Sequence, residues 1–170
     1  MTRAYLFGVL HDATARNTTY RIASKSKAYC EFLKKGIAQL GARAWIYKEG
    51  KQRNLWIVEF SKSLLRDTVV SSELDKIDYA RGYFDTEGGI AKSPQVRYYL
   101  YFAQKNKADL RQVKKYLEEL GISCGVMHNP SKRVDPDYWR FFVKAESYND
   151  FARHIGSDHP EKSRFLRMKI

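Results

Sequence analysis

Two stretches of the chain repeat one another, and this repeat restricts the possible folds more than any other feature. Residues 23–41 begin Ala-Ser-Lys-Ser-Lys and end Leu-Gly, while residues 103–121 begin Ala-Gln-Lys-Asn-Lys and end Leu-Gly. The offset between them is 80 residues. Apolar residues recur at helical spacing in both stretches, and each final glycine can end a helix in the left-handed conformation. We therefore expect two equivalent amphipathic helices, one in each half.

The segments that flank each helix also correspond. One segment before and two segments after each helix are rich in Tyr, Thr, Val, Ile and Phe or alternate with polar residues, which is typical of strands. These strand-like segments are 18–22, 44–47, 55–60, 95–102, 125–127 and 138–143. A short apolar segment with a central glycine, at 5–10 and again at 79–84, precedes each set. The predicted fold is α+β, with two pseudo-symmetric αββαββα repeats.

The repeat also predicts how the chain is divided. Residues 1–65 form the first repeat, 66–76 a linker, 77–156 the second repeat and 157–170 a basic tail that can become helical after Pro160. The linker is too short to let two independent domains move freely. We therefore expect both repeats to share one interface.

Composition restricts the partners and the compartment. Lys and Arg number 31 against 19 Asp and Glu, so the formal net charge is +12, which favours a polyanionic partner over a merely soluble basic surface. The sequence contains neither a span of about 20 apolar residues nor a secretory signal, so we expect an intracellular protein. Cys30 and Cys124 lie in different kinds of segment and are expected to be two buried thiols.

The segment from Ala80 to Gly88 reads ARGYFDTEG and resembles the LAGLIDADG motif of homing endonucleases. A less regular copy surrounds Gly8, and the order of elements is similar to that family over nearly the whole chain. The resemblance implies a saddle of antiparallel sheets that binds duplex DNA. It also implies that Gly8 and Gly82 let two helices pack backbone to backbone, and that the acid five residues after Gly82, which is Glu87, binds Mg²⁺.

The first repeat departs from this pattern, because the residue five places after Gly8 is Ala13. Asp12 comes one place earlier and would point about 100° away on a regular helix, unless the helix end is unwound. His11 is a further candidate for binding metal or phosphate. The resemblance implies a metal site made of Asp12, Ala13, Glu87 and Gly88. A nuclease that uses Asp12, a nickase with one working carboxylate, and a binding protein without cleavage all remain open.

Basic and aromatic residues on the open sheet faces and at the hairpin tips are the candidates for DNA contact. They are Arg21, Lys25, Lys51, Arg53, Arg97, Tyr99, Tyr101, Lys132 and Arg133. The family places a basic catalytic residue in the second hairpin, which implies Lys48 or Lys51 here. Trp45, Trp56 and Trp139 are interpreted as packing residues rather than as base-stacking residues.

The resulting prediction is a monomeric, sequence-specific and Mg²⁺-dependent endonuclease that cuts double-stranded DNA. The alternative is a cleavage-deficient protein of the same fold, either a maturase that binds structured intron RNA or a transcriptional regulator. A small-molecule enzyme is disfavoured, because the sequence shows no catalytic triad, P-loop, metal-ligand spacing or dinucleotide fingerprint.

Overall fold

The computed structural model describes residues 1–50 and 52–167, and both halves contain an antiparallel sheet covered by helices. The main elements are α1 (Arg3–Val9), β1 (Ala13–Ala15), β2 (Thr19–Ser24), α2 (Lys27–Gln39), β3 (Ala44–Lys48), β4 (Trp56–Ser61), α3 (Glu73–Glu87), β5 (Gly88–Ile90), β6 (Leu100–Gln104), α4 (Lys107–Glu119), β7 (Trp139–Phe142), α5 (Tyr148–Asp150) and α6 (Pro160–Arg167). Tight 3₁₀ turns cover Leu10–Asp12, Lys62–Leu65 and Ala145–Ser147, and a π-helical turn, Phe151–Ile155, continues α5. The predicted α+β architecture with two repeats is confirmed.

The strands form two separate antiparallel sheets. The first has the order β1-β2-β4-β3, and the second has the order β5-β6-β7. Ile22 lies opposite Val58 in the first sheet, and Phe102 lies opposite Phe141 in the second. All four side chains are buried beneath the helices. Since side chains alternate along a strand, the neighbouring positions face outward and form an open face on each sheet.

One predicted strand of the second sheet is missing. Residues 125–127 form no strand; the segment pairs with its neighbour only through isolated bridges, Cys124 with Val143 and His128 with Arg140. Gly125 has no side chain to pack, and Val126 is exposed, so this segment lacks the alternating burial that holds a strand in register. The strand predicted over 95–102 is also shorter and is restricted to β6. The second sheet is therefore narrower than the first.

The helices α2 and α4 are equivalent, as the repeat predicts. The side chain of Ser26 caps α2 by accepting from Tyr29 N, and Asn106 caps α4 by accepting from Asp109 N. Each helix is followed by a glycine with a positive φ of about 80°. Their apolar faces cover separate cores, one in each half. Local sequence therefore sets both the beginning and the end of these helices.

The helix α3 begins earlier than predicted and takes up the last four residues of the expected linker. Ser72 and Asp75 form a capping box, in which each side chain accepts the backbone N–H of the other at 3.1 Å. This pair of hydrogen bonds satisfies donors that a helix start otherwise leaves free. The connection between the repeats is correspondingly short.

The C-terminal segment is part of the folded unit. Its helix α6 buries Phe165 and Leu166 in the core of the second half. Cys30 and Cys124 are free and buried, which confirms the prediction of two buried thiols. Among the residues that the structure describes, no helix is long and apolar enough to cross a membrane.

Candidate functional site

The two glycine-centred helices, α1 and α3, cross in direct backbone contact. A Cβ atom added to Gly8 would lie 2.1 Å from the carbonyl oxygen of Tyr79, and one added to Gly82 would lie 2.1 Å from the carbonyl oxygen of Tyr5. Any side chain larger than hydrogen at either position would force the backbones apart. The crossing therefore brings the C-terminal ends of both helices to the middle of the molecule.

The first of these ends is wound more tightly than the second. From Gly82 to Glu87 the chain is α-helical, whereas after Val9 the first helix continues as the 3₁₀ turn Leu10–Asp12. One α-helical step and three 3₁₀ steps rise about 7.5 Å, the same as five α-helical steps. Asp12, four residues after Gly8, therefore lies as far along its helix axis as Glu87, which comes five residues after Gly82. Its carboxylate is close enough to Glu87 to raise the pKa of that residue.

Glu87 is held by Gln104, a residue that the sequence analysis missed. The Nε2 atom of Gln104 donates to Glu87 Oε1 at 3.0 Å and to the carbonyl oxygen of His11 at 3.0 Å. One side-chain amide thus links both helix ends. Burial, followed by the charge of Asp12, raises the pKa of Glu87 to about 7. Burial also raises the pKa of Asp12, although part of that residue stays exposed.

Lys162 on α6 is the second residue that the sequence analysis missed. Its Nζ atom donates to the carbonyl oxygens of Phe84, Asp85 and Gly88 at 2.6, 2.9 and 2.6 Å. The ammonium therefore caps the C-terminus of α3, where the helix dipole favours a cation. Burial lowers the pKa of Lys162 to about 8, although nearby carboxylates, Asp85 first, oppose the shift. No local pattern identifies this lysine, because its partners lie more than 70 residues away.

Buried polar pairs tie the two motifs together in a pseudo-symmetric way. Three residues before Gly82, Tyr79 places its hydroxyl 2.5 Å from Nε2 of His11, which lies three residues after Gly8. Three residues before Gly8, Tyr5 donates to Oδ2 of Asp85 at 2.5 Å, and Asp85 lies three residues after Gly82. Each helix thus holds the end of the other. The imidazole of His11 makes this contact with Tyr79 and also lies beside Asp109, with Nδ1 3.3 Å from Oδ2. Its two ring nitrogens are therefore engaged in these contacts rather than in an open metal or phosphate site.

Asp85 also anchors the C-terminal segment. The hydroxyl of Ser157 and the backbone N–H of Asp158 both donate to its carboxylate, the latter at 3.0 Å. Burial raises the pKa of Asp85 to about 6, and these hydrogen bonds oppose the shift. The start of the segment that carries Lys162 is thereby fixed next to the second motif.

Lys48, one of the two proposed basic catalytic residues of the second hairpin, is not brought to this place. Lys48 is exposed at the end of β3, the outermost strand of the first sheet, whereas Asp12 leads into β1 at the opposite edge. Three strand spacings of about 4.8 Å separate these edges. The assignment of Lys48 is therefore corrected. Lys162 lies beside the motif ends, and Lys25 lines the same cavity as Asp12 and Lys162. Lys51 lies outside the described residues.

The residues at the motif ends suit a hard divalent cation only in part. Asp12 and Glu87 offer carboxylate oxygens, the ligands that Mg²⁺ prefers. Within the described ranges, 1–50 and 52–167, no cluster of three or more His, Cys, Asp or Glu would enclose a metal. Ala13 and Gly88 could offer only backbone oxygens; Ala13 pairs with Ile22, and the Gly88 carbonyl already accepts one hydrogen bond from Lys162. Water and phosphate would complete the coordination of a cation held by the two carboxylates.

The open face of the first sheet is charged. Arg21 lies 3.3 Å from Glu49 and 3.9 Å from Glu59, while Thr19 and Tyr47 both donate to Glu59 at 2.6 Å. Such a face presents fixed donors and acceptors, as base-edge recognition in a groove requires. The candidates Lys25, Arg53, Lys132 and Arg133 are all exposed.

The assignment of the tryptophans is correct for two and wrong for one. Trp56 and Trp139 pack against the two cores, and Lys27 and Lys107, related by the 80-residue offset, lie over their rings. Trp45 is 54% exposed, because it occupies an outward position of the edge strand β3. An aromatic ring is therefore available on the open face of the first sheet.

The comparisons with known proteins agree with the fold. A family model described as a LAGLIDADG-like domain matches residues 76–156. No curated protein matches the chain. Among solved structures, I-DmoI in complex with DNA and Mn has a TM-score of 0.68 and 21% identity, covering 92% of this chain and 97% of that chain.

Two structures of DUF199/WhiA are also similar. The full-length protein from Thermatoga maritima has a TM-score of 0.71 and 14% identity, covering 99% of this chain and 61% of that chain. The N-terminal LAGLIDADG domain of DUF199/WhiA has a TM-score of 0.69 and 13% identity, covering 92% of this chain and 83% of that chain. At these identities the likeness establishes the fold.

Proposed function

This chain is a LAGLIDADG protein with two repeats in one chain, and we propose that it binds a specific double-stranded DNA site. It hydrolyses phosphodiester bonds at that site with a divalent metal, preferably Mg²⁺. I-DmoI, whose fold it shares, was solved with DNA and Mn. The observation that carries the proposal is the meeting of Asp12 and Glu87 at the ends of two crossing helices. Both carboxylates lie in one chain, so a monomer suffices.

The chemistry divides between the cation and the residues around it. When bound, Mg²⁺ activates water and stabilises the leaving oxygen of the phosphodiester. Asp12 and Glu87 would hold it through their carboxylate oxygens. Gln104 orients the Glu87 carboxylate, because its amide is fixed between Glu87 and the His11 carbonyl. The ammonium of Lys162 offsets part of the negative charge that an approaching phosphate would meet.

The surfaces on either side of the site supply the remaining DNA contacts. The net charge of +12 favours a polyanion. Arg21 and Glu59 on the open face of the first sheet can read base edges, while Arg53 and Lys132, near the two hairpin tips, can contact phosphates. Lys51 remains a candidate for phosphate contact from its place in the sequence.

The second candidate function is sequence-specific nucleic-acid binding without cleavage, as in a maturase that binds intron RNA or in a transcriptional regulator. Two observations favour it. Ala13 stands where the first motif would carry its acid, and the Lys162 ammonium already lies at the motif ends, where a metal would provide positive charge. The likeness to DUF199/WhiA is as close in TM-score as the likeness to I-DmoI.

Selection and cleavage on one DNA population separate these functions. The protein is incubated with a randomised duplex library without metal, and the bound sites are recovered and sequenced. The selected duplex is then incubated with Mg²⁺ or Mn²⁺ and scored for paired cuts, single-strand nicks or intact DNA. The variants are Glu87→Gln and Asp12→Asn, and the matched control is Glu73→Gln at the exposed start of the same helix α3.

We expect paired cuts by the wild type and by Glu73→Gln, and their loss in Glu87→Gln. Loss in Asp12→Asn as well would assign the second carboxylate to Asp12. Nicks in one strand only would limit the activity to Glu87. Tight binding of the selected site without any cut, with either metal, would reject the nuclease and establish the binding protein.

A further inference from the structure

The open face of the second sheet carries a cluster of aromatic rings that packing of the core does not require. The aromatic face consists of Tyr99, Tyr101, His128, Tyr138 and Phe142. The ring centroids of Tyr99 and Tyr101 are 5.9 Å apart, those of Tyr101 and Phe142 are 5.9 Å apart, and His128 is stacked on Phe142 at 15°. The buried neighbours in β6, Leu100 and Phe102, point the other way. These rings therefore lie on the outer surface.

A single arginine lies in the middle of the aromatic face. The Cζ atom of Arg140 is 4.4 Å from the ring centroid of Tyr101, 5.4 Å from that of Tyr138 and 5.8 Å from that of Phe142. Its Nη2 donates to the Tyr138 hydroxyl at 3.1 Å, while its buried Nε has no partner among the described residues. A planar cation among rings is a favourable surface for a flat, electron-rich ligand.

Tyr99 lines two open cavities. One has a volume of about 560 Å³ and is also lined by Gly89, Tyr101 and Lys92. The other has a volume of about 500 Å³ and is also lined by Arg97, Phe142, Lys144 and Tyr148. Both volumes lie in the range of sites for small ligands. Tyr99 itself is 36% exposed, and each cavity has a basic side chain at its wall.

We propose that the aromatic face binds unpaired nucleobases by stacking, with Tyr99 between two consecutive base positions and with Lys92, Arg97 and Lys144 next to the phosphates. In a duplex both faces of each base are covered, so protein rings reach only base edges. Single strands, loops and extruded bases expose their faces, and these are the parts of nucleic acids that aromatic side chains stack on. The inference rests on the proposed nucleic-acid binding and adds unpaired bases to the duplex that the second repeat is proposed to contact.

The contrast with the first sheet supports this division. The open face of the first sheet presents the carboxylate of Glu59 and the fixed donors around it. The five residues of the aromatic face carry no carboxylate, and the carboxylate of Glu161 lies at its edge, 2.9 Å from Lys92. A face of rings with one cation is sequence-tolerant, whereas a face of fixed charges is selective. The two repeats thus present different surfaces to one nucleic acid.

The test uses one 30-nucleotide sequence as single-stranded DNA, as single-stranded RNA and as duplex DNA, each with 2-aminopurine at internal positions. Affinity is measured by anisotropy at fixed salt, and stacking by quenching of 2-aminopurine. The variants are Tyr99→Leu and Phe142→Leu. The matched control is Trp45→Leu, which removes an exposed ring from the open face of the first sheet. Circular dichroism and melting temperature report whether each variant is folded.

We expect Tyr99→Leu to lower affinity for the single-stranded probes about tenfold and to abolish quenching, while duplex affinity changes less than about threefold. A loss restricted to RNA or to DNA would identify the source of the bases. Equal losses in Tyr99→Leu and Trp45→Leu, or no quenching with the wild type, would overturn the inference. Duplex affinity and Glu87-dependent cleavage are measured on the same samples. Loss of duplex affinity and of cleavage, with quenching intact, would reject the nuclease alone. Intact duplex affinity and cleavage without quenching would reject only the aromatic site.

Discussion

Replacing Gly8 by alanine tests whether the helix crossing holds the molecule together. The new methyl group would lie 2.1 Å from the Tyr79 carbonyl oxygen and 2.8 Å from Tyr83 N, whereas real Cβ contacts below 3.0 Å hardly occur. The helices would have to separate by about 1 Å along their whole contact. The obstructing atoms are backbone, so no side chain can rotate away, and we expect a loss of about 3 kcal/mol or more in the free energy of unfolding.

Gly36→Ala is the matched control. Gly36 also lies inside a helix, but the three atoms nearest to its added Cβ all belong to the side chain of Met1 and none to the backbone of another helix. Alanine there is expected to change the free energy of unfolding by no more than about 1 kcal/mol, with its helix propensity in favour. Urea unfolding followed by circular dichroism measures both variants. If Gly8→Ala were as stable as Gly36→Ala, the close crossing of α1 and α3 would be refuted.

Three further predictions concern the C-terminal segment and the thiols. Burial lowers the pKa of His159 to about 4, and its Nδ1 accepts from Glu161 N. The folded pKa lies below the unfolded one, so the contribution of His159 to stability should fall by up to about 3 kcal/mol from pH 6.5 to 4, while the raised pKa values of Asp85 and Glu87 act in the opposite direction. In urea titrations the stability of the wild type minus that of His159→Phe should fall by this amount over that range, and a difference that does not change with pH would argue against it. Lys162→Met removes a charged donor from three carbonyls and should lower the free energy of unfolding, measured in urea, by about 1–3 kcal/mol. A loss under about 0.5 kcal/mol, which is usual for surface changes, would contradict the capping of α3 by Lys162. Burial raises the pKa of Cys30 to about 11 and of Cys124 to about 12, so neither should be alkylated by iodoacetamide at pH 7.5 until urea is added; mass spectrometry of the native protein decides.

Much of the fold follows from patterns that are local in sequence. The helices α2 and α4 are bounded by a side-chain cap on one side and a left-handed glycine on the other, and both signals lie within one helix length. The strand predicted at 125–127 is absent, because pairing depends on what covers each face, which local composition does not report. The early start of α3 follows from the capping box of Ser72 and Asp75, a signal that is also local in the sequence.

The candidate site is less accessible to sequence reasoning than the fold. Gly82 and Glu87 follow from one motif, whereas Gln104 and Lys162 reach it from another strand and from the last helix. Their contacts are set by tertiary packing across long stretches of chain. The tight winding that brings Asp12 to the height of Glu87 is likewise a choice between two helix geometries that differ little in energy.

That winding bears on how such motifs tolerate insertions and deletions. A helix end that can be either α or 3₁₀ absorbs a change of one residue without moving the functional group along the axis. Inserting an alanine between Val9 and Leu10 would let the first motif become α-helical and leave its acid at the same height. The distance along the axis from the motif glycine to the acid is then kept, although the number of residues between them changes. An acid displaced by one position in an alignment need not be displaced in space.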